Sequence, residues 1–449
     1  MPTFEDVADR VLKRVEPSES ERRRLQAATE ALTDRAEDAI ADLPVEAEPL
    51  LVGSTARDTW LAGDRDIDLF VRFPTALSRE ELTEYGLAVG HAVLPDGREE
   101  YAEHPYVTGA YDGFDVDLVP CYDVDSAREI ESAVDRTPFH TAYLRERLTP
   151  DLAAEARVLK QFCTGIGVYG SDLRTRGFSG YLIELLVLEF GAARSLIEAA
   201  ADWHPPVALD PEDHGERSFD DPLAVIDPTD PTRNVAAVLS AANLARLQHH
   251  ARDVLADPRI DVFFPDETDP LSPEAIRKHV ARRGTTPIAL VFEAPDLVED
   301  ELYPQLRKSL AGIGDELDRR GFDVLRREAL ARERAVLLFE LAIAERPAVE
   351  RHEGPPVAAR DHAAGFYAKY DDADVYGPFV ERDRYIVERD REFASAVALL
   401  ESDALFDTRL GPAVEDALEA GYEVLQGEAI AELAGEFGAD LAEYFDPGP

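Results

Sequence analysis

A chain of 449 residues with 47 Lys+Arg against 92 Asp+Glu carries a formal net charge of −45. At roughly 100–200 residues per domain this length predicts about three domains, and 45% hydrophobic with 8% aromatic residues excludes a disordered acidic chain. Taken at face value, the charge also excludes a nucleic-acid partner, because phosphates are repelled.

The opening residues Met1 to Asp6 lack the basic start and apolar run of a secretory signal. Tyr181 to Phe190, the longest apolar stretch, is interrupted by Glu184 and Glu189 and is too short to span a bilayer. Two cysteines, Cys121 and Cys163, predict a reducing cytoplasm rather than a disulfide framework. Lysine occurs at five positions only, leaving 47 − 5 = 42 arginines. Few lysines and abundant, dispersed carboxylates point to a cytoplasm at molar salt, where the Debye length is roughly 3 Å and surface carboxylates barely repel one another. An ordinary acidic enzyme is the plain alternative. On the halophilic reading, the charge reports the solvent more than the partner.

In chain order, Phe4, Val7, Val11 and Leu12 recur at helical spacing, and Ser18 with Glu21 forms a capping box opening a helix towards Leu43. Short strands follow at 50–52 and 67–73, then a helix over 78–94. Strands 106–111 and 114–119 flank Asp112-Gly113, a strong hairpin signal. These elements make an α/β domain, residues 1–138. Residues 139–260 read as a helical domain, with helices at 151–166, 178–201 and 231–256 and a Pro- and Asp-rich loop at 204–230. Residues 261–449 read as α+β: a strand at 288–292, a helix at 299–319 and strands at 322–330 and 334–343. That β-α-β-β order suggests a ferredoxin-like layer. A loop at 347–358, a hairpin within 376–391 and helices over much of 391–445 form a mixed tail.

The sharpest chemical signal is Gly53-Ser54-Thr55-Ala56-Arg57 followed, after 11 residues from Ser54, by Asp66-Ile67-Asp68. Residues two apart on a strand share a face, so Asp66 and Asp68 aim two carboxylates at one point, the hard-oxygen arrangement that suits Mg²⁺ with substrate phosphates. The Gly53-Ser54 turn offers backbone N–H groups and a hydroxyl to a triphosphate, and Arg57 reaches the same phosphates. Asp115 and Asp117 supply a further carboxylate from a second strand; Asp117, deeper in that strand, is the choice for a third ligand. A lone D-x-D in so acidic a chain is ordinarily solvated surface. Here the pair lies in an apolar strand behind a G-S turn, with a second acidic strand nearby.

This pattern resembles the nucleotidyltransferase superfamily of polymerase-β-like enzymes. The stretch from Leu51 to Leu61 followed by Gly63 to Asp68 resembles, more narrowly, the archaeal (class I) CCA-adding enzymes. So do Asp117 to Tyr122, Arg136 to Thr141, Gly177 to Leu182 with Glu184 to Leu186, and Asp227 to Pro231 with Arg233 to Ala237. The resemblance spans roughly residues 50–240 and implies a multidomain α+β fold with a polymerase-β-like catalytic head, a helical neck and a ferredoxin-like body with a tail. It implies template-independent addition of C, C and A to the 3′ end of tRNA from CTP and ATP, releasing pyrophosphate. It further implies metal ligation by Asp66, Asp68 and Asp117, triphosphate contacts from Gly53, Ser54 and Arg57, contacts to the nucleotide's phosphates and sugar from His140, Lys160 and Tyr169, and base selection aided by Arg233. Asp66 stands where family members often have Glu. Taken without the resemblance, His140 caps a helix start, Lys160 is an exposed helix charge, Tyr169 is a packing aromatic and Gly177 to Gly180 permit close packing. A poly(A) polymerase, an antibiotic-modifying enzyme or a non-catalytic RNA-binding relative would share parts of this pattern. The oligomeric state, a homodimer included, is left open by the residues. No membrane association is expected, and tRNA is to be met by a local cleft of arginines and metal ions in an acidic shell.

Overall fold

The structure, a computed structural model, describes residues 2–101 and 104–449. The chain divides into two compact units, Met1–Asp266 with Pro449, and Glu267–Gly448. Among the described residues no helix is long and apolar enough to cross a membrane.

In the first unit, α1 (Phe4–Val15) and α2 (Glu19–Ala41) both start in capping boxes. At the second, the Ser18 amide donates to Glu21 Oε2 at 2.8 Å and the Glu21 amide donates to Ser18 Oγ at 3.2 Å, so two orphan amides of the first turn are satisfied reciprocally. There follow β1 (Glu48–Val52), the single turn α3 (Gly53–Ala56), β2 (Asp66–Pro74), α4 (Arg79–Val93), β3 (Arg98–Tyr101), β4 (Pro105–Tyr111) and β5 (Phe114–Asp123). The five strands form one sheet in the order β1-β2-β5-β4-β3. The pair β2–β5 is parallel and the other pairs are antiparallel. Asp112 and Gly113 both have positive φ, 49° and 81°, as the tight hairpin between β4 and β5 requires.

Strand alternation sorts this sheet. Ile67, Leu69, Val71, Val116 and Leu118 bury against Leu25, Leu32, Leu82 and Val89 of α2 and α4. The opposite face is therefore left to Asp66, Asp68, Asp115 and Asp117. Strand β3 was not anticipated.

The rest of this unit holds α5 (Thr137–Arg147), α6 (Pro150–Gly165), α7 (Gly180–Phe190), α8 (Ala193–Ala201), β6 (Val207–Leu209), β7 (Leu223–Asp227), β8 (Asp230–Asn234) and α9 (Ala241–Ala256). Three expectations are corrected. The helix expected over 178–201 is two, because Gly191 at φ 77° ends α7 with a left-handed cap. The loop expected at 204–230 contains β6 and β7, and every residue of β7 is buried. The helix expected from 231 begins only at Ala241, where Ser240 caps it by accepting the Asn243 amide at 3.1 Å; residues 230–234 instead form β8, paired antiparallel with β7. In addition, α1 packs through Phe4, Val7, Val11 and Val15 into the helical core with Leu159, Phe162 and Leu186, not into the core under the sheet.

The second unit opens with α10 (Pro273–Arg283), β9 (Thr286–Glu293), α11 (Glu299–Arg320), β10 (Val324–Ala331) and β11 (Arg334–Leu341). It continues with β12 (Val349–Pro356), α12 (Arg360–Tyr370), β13 (Tyr376–Glu381), β14 (Arg384–Asp390), α13 (Ala396–Leu400), α14 (Pro412–Ala420), β15 (Tyr422–Gln426) and α15 (Ala434–Phe445). Strands β10-β11-β9-β15 form an antiparallel sheet. With α11 and α14 as crossovers this is the ferredoxin-like split β-α-β arrangement. Strands β12-β14-β13 form a separate small sheet. The loop expected at 347–358 is mostly β12; its paired stretch tolerates Pro355 and Pro356 because the register with β14 shifts between Glu353 and Pro356.

Phe162 has no exposed surface and meets the Phe263 ring at 5.4 Å between centroids. Phe162→Ala should cost about 3–5 kcal/mol, read as an earlier midpoint for the first unit in denaturant unfolding.

Candidate active site

The acidic face of the sheet is set by register. Parallel pairing of β2 with β5 places Asp66 opposite Asp115 and Asp68 opposite Asp117. The intervening Ile67 and Val116 point into the core at 1% and 0% exposure. Val52, the last residue of β1, pairs with Asp68 from the other side, so the turn that follows β1 lands beside that carboxylate. Gly53 has φ 73°, and a Cβ built on it would stand 1.9 Å from Asp68 Oδ2. Only glycine allows the chain to run this close to the acid. Ser54 lies on the same single turn, and its carbonyl accepts the Thr59 amide at 3.0 Å.

The carboxylates strain against one another electrostatically. Burial first, then Asp117 and Asp66, push Asp68 up to about 6 against the opposing charge of Arg57. Asp66 is raised too, by burial first and then by Asp64, Asp115 and Asp117. Such a hard-oxygen cluster with its protons held abnormally tightly is a donor set that a hard dication would relieve. Among the described residues no three His, Cys, Asp or Glu side chains stand close enough to hold a metal by themselves, so a dication on this face would need oxygens from a substrate as well.

Behind this face stand two buried carboxylates that the sequence reading did not single out. Glu184, on α7, has no exposed surface. Its Oε2 accepts Arg57 Nε at 2.8 Å, and its Oε1 accepts Lys160 Nζ at 2.9 Å and the Thr59 hydroxyl. Burial pushes the Glu184 carboxyl up, but Lys160, Arg57 and Thr59 together hold it below its usual value. Lys160 is 2% exposed. Besides Glu184, its Nζ donates to the carbonyl and hydroxyl of Thr59, each at 3.0 Å, so its three protons are committed. It is therefore neither the exposed helix charge of the plain reading nor turned to the acidic face. One turn earlier on α6, Arg157 is equally buried and donates to the carbonyls of Trp60 and Asp58. Two cations three residues apart thus clamp the 58–60 loop that links the Gly53 turn to β2. Tyr169 pairs with Phe178 in an isolated bridge. A Cβ on Gly180 would lie 3.3 Å from the Tyr169 hydroxyl and 3.5 Å from Lys160 Nζ, so both reach the start of α7.

The second carboxylate, Asp227 at the end of β7, is also fully buried. Its Oδ2 accepts His140 Nε2 and Arg233 Nη1, each at 2.8 Å. Its Oδ1 accepts the Thr229 amide at 2.9 Å, the Thr229 hydroxyl at 2.8 Å and the Tyr181 hydroxyl at 3.3 Å. The His140 ring stacks on Tyr181 at 3.9 Å between centroids. Burial raises the Asp227 carboxyl, but His140, Thr229 and Arg233 overcome it and hold it well below the usual range. Tyr181 and Glu184 lie three residues apart on α7, on one helix face. Arg57 also donates from Nη1 to the Thr141 hydroxyl at 3.4 Å, which ties the first cluster to α5 beside His140. Glu184 was visible as a charge inside an apolar helix; nothing local in the sequence marks Asp227 as the shared acceptor.

Removing the Glu184 charge strands two buried cations, so Glu184→Gln should destabilise the first unit by about 3–5 kcal/mol, seen as a lowered Tm. Asp227 and Glu184 are both held below their ordinary values of 3.8 and 4.5. Their contribution is fully present above those values and is lost as pH falls through them towards the lower folded values. Their share of the first unit's stability should fall as pH is taken from about 4.5 to about 3, opposite in sign to the raised Asp68 and Asp66, so the melting temperatures of the parent and of Asp227→Asn should converge as pH falls over that range.

Comparison with known proteins finds three family matches along the chain. The nucleotidyltransferase domain family matches residues 34–140, the family of the second domain of tRNA nucleotidyltransferase matches 154–264, and the C-terminal domain family of CCA-adding enzymes matches 283–427. The CCA-adding enzyme of Haloarcula marismortui is 61% identical across 99% of each chain. That of Halorubrum lacusprofundi is 60% identical across 100% of each, and that of Halobacterium salinarum is 58% identical across 98% of each. At this identity along its whole length, the chain belongs to the CCA-adding enzyme family.

Proposed function

We propose that this protein completes tRNA 3′ ends by adding C, C and A without a nucleic-acid template, using CTP and ATP, and that the chemistry occurs on the Asp66–Asp68–Asp117 face. The observation that carries the placement is the parallel register that sets Asp68 against Asp117, with Gly53 closed over Asp68. In this reading residues 1–138 are the catalytic head, 139–260 the neck and 261–449 the tRNA-binding body and tail. Asp66, Asp68 and Asp117, completed by oxygens of the bound triphosphate, would hold Mg²⁺, which would supply stabilisation of negative charge on the attacking and leaving oxygens.

The chain's own groups do the rest. Gly53 and Ser54 present the turn's amides and hydroxyl to the triphosphate. Arg57, fixed by Glu184 and Thr141, adds a guanidinium whose orientation is set before the nucleotide arrives. Lys160 contributes through the Thr59 and Glu184 contacts that shape the turn. Tyr169 and His140 border the phosphates and sugar, and Arg233 faces the base. tRNA is met by shape and backbone, and arginine's planar fork suits phosphate better than lysine does.

Incubated with tRNA lacking its CCA end and labelled CTP and ATP, the protein should add three nucleotides and stop. Continued addition of A, or no transfer to tRNA, contradicts the reading. Asp68→Asn and Asp117→Asn should each lower the rate by about two orders of magnitude or more, the scale of losing one charge-stabilising group at a reacting centre. Gly53→Ala should fall as far, because its Cβ has no space beside Asp68; a melting temperature within a few degrees of the parent checks that the loss is local.

A further inference from the structure

Two residues assigned above to different parts of the incoming nucleotide end on one atom. His140, on α5, is placed at the phosphates and sugar; Arg233, on β8, is placed at the base. Both donate to Asp227 Oδ2 at 2.8 Å. The other carboxylate oxygen takes three more hydrogen bonds, from the Thr229 amide, the Thr229 hydroxyl and Tyr181. A carboxylate offers about four lone-pair sites, so five donors saturate it and leave it no freedom to turn. Tyr181 also stacks under the His140 ring, which fixes the imidazole plane as well as its edge. Asp227 has no exposed surface, whereas the Arg233 side chain is 34% exposed and that of His140 is 12% exposed. The anchor is hidden and the two groups it holds reach outward.

We infer that Asp227 is a positioning residue that fixes His140 and Arg233 relative to each other, so that the contact to the nucleotide's phosphates and sugar and the contact that selects its base are set by one buried carboxylate. This rests on the reading that His140 and Arg233 face the nucleotide. It differs from a merely stabilising buried acid in one respect: its loss must act through those two side chains. Base selection is then geometric. Arg233 is held at a set distance from the place where His140 pins the sugar-phosphate, and a base of the wrong size or edge cannot meet the guanidinium from there.

The test is steady-state nucleotide addition by the full-length chain, with CTP on tRNA lacking CCA and ATP on tRNA ending in CC. Asp227→Asn, His140→Ala, Arg233→Ala and the combined variants are compared. Asp227→Asn keeps the shape but turns one acceptor into a donor. It should raise KM for both nucleotides by about tenfold, the scale of one charge-assisted hydrogen bond, and reduce the preference for the correct base at each step. Added to His140→Ala/Arg233→Ala, it should change KM little further, because its route of action is already gone. If His140→Ala and Arg233→Ala raise KM but Asp227→Asn does not, the inference is overturned and the nucleotide reading stands. An undiminished Asp227→Asn effect in the combined variant overturns it equally. If neither His140→Ala nor Arg233→Ala alters KM or base choice, the nucleotide reading itself fails and takes the inference with it. Should Asp227→Asn not fold, Thr229→Val removes one hydroxyl bond to Oδ1 without touching His140 or Arg233. A KM raised a few-fold, and only when His140 and Arg233 are present, then carries the inference, and an unchanged KM overturns it.

Discussion

Glu184 is a full negative charge with no exposed surface, placed midway along a helix that is otherwise almost wholly apolar. Burying an ion pair rarely stabilises a protein more than an apolar replacement would, because desolvation offsets the attraction. What such a pair supplies is geometry. Arg57 comes from the turn after β1, Thr59 from the loop beyond it and Lys160 from α6, and all three converge on this one carboxylate. The Gly53 turn, the approach of β2 and the orientation of Arg57 are thereby fixed to the helical core. The acidic face of the sheet is only as well placed as this contact.

The arrangement also shows how so acidic a chain keeps cations where they matter. Arg57, Arg157 and Lys160 are buried and each is committed to a carboxylate or backbone carbonyls. A charge held inside the protein is screened by salt far less than one on the surface. Relatives from Haloarcula marismortui, Halorubrum lacusprofundi and Halobacterium salinarum match 98% or more of the chain, and its net charge of −45 does not by itself decide where its cations stand. Phosphate binding that depends on a broad basic field weakens with salt through lost counterion release. Cations oriented singly by buried acids depend less on salt, and Glu184 and Asp227 each hold them in this way.

Legibility followed the range of the interactions. The Ser18–Glu21 cap, the Asp112-Gly113 hairpin and the alternation of Asp66-Ile67-Asp68 are decided within a few residues, and each is found as read. The 204–240 region was misread because its composition, rich in Pro and Asp, is that of a loop. Its strands exist because Leu223 and Val225 find burial in the helical core and Asn234 Oδ1 accepts the Val225 amide across the turn. Residues 349–356 were misread for the same reason: β12 is made by its partner β14, not by its own propensity. Helix α1 was correctly read as a helix but attached to the wrong core, since amphipathic spacing shows that a face is buried and not against what.

The same division runs through the site. The sequence by itself determined the chemistry: two acids on one strand face, a third on another strand, and a glycine-serine turn before them, all expressed in the two-residue period of a strand. Tertiary structure alone decided the alignment of Asp68 with Asp117, the clearance that makes Gly53 indispensable, and the choice of Glu184 and Asp227 as hidden anchors for Arg57, Lys160, His140 and Arg233. Periodicity is a property of the local backbone and survives in the residue order. Which oxygen meets which nitrogen across 87 or 127 positions of chain depends on how sheets and helices pack, and no local pattern encodes it.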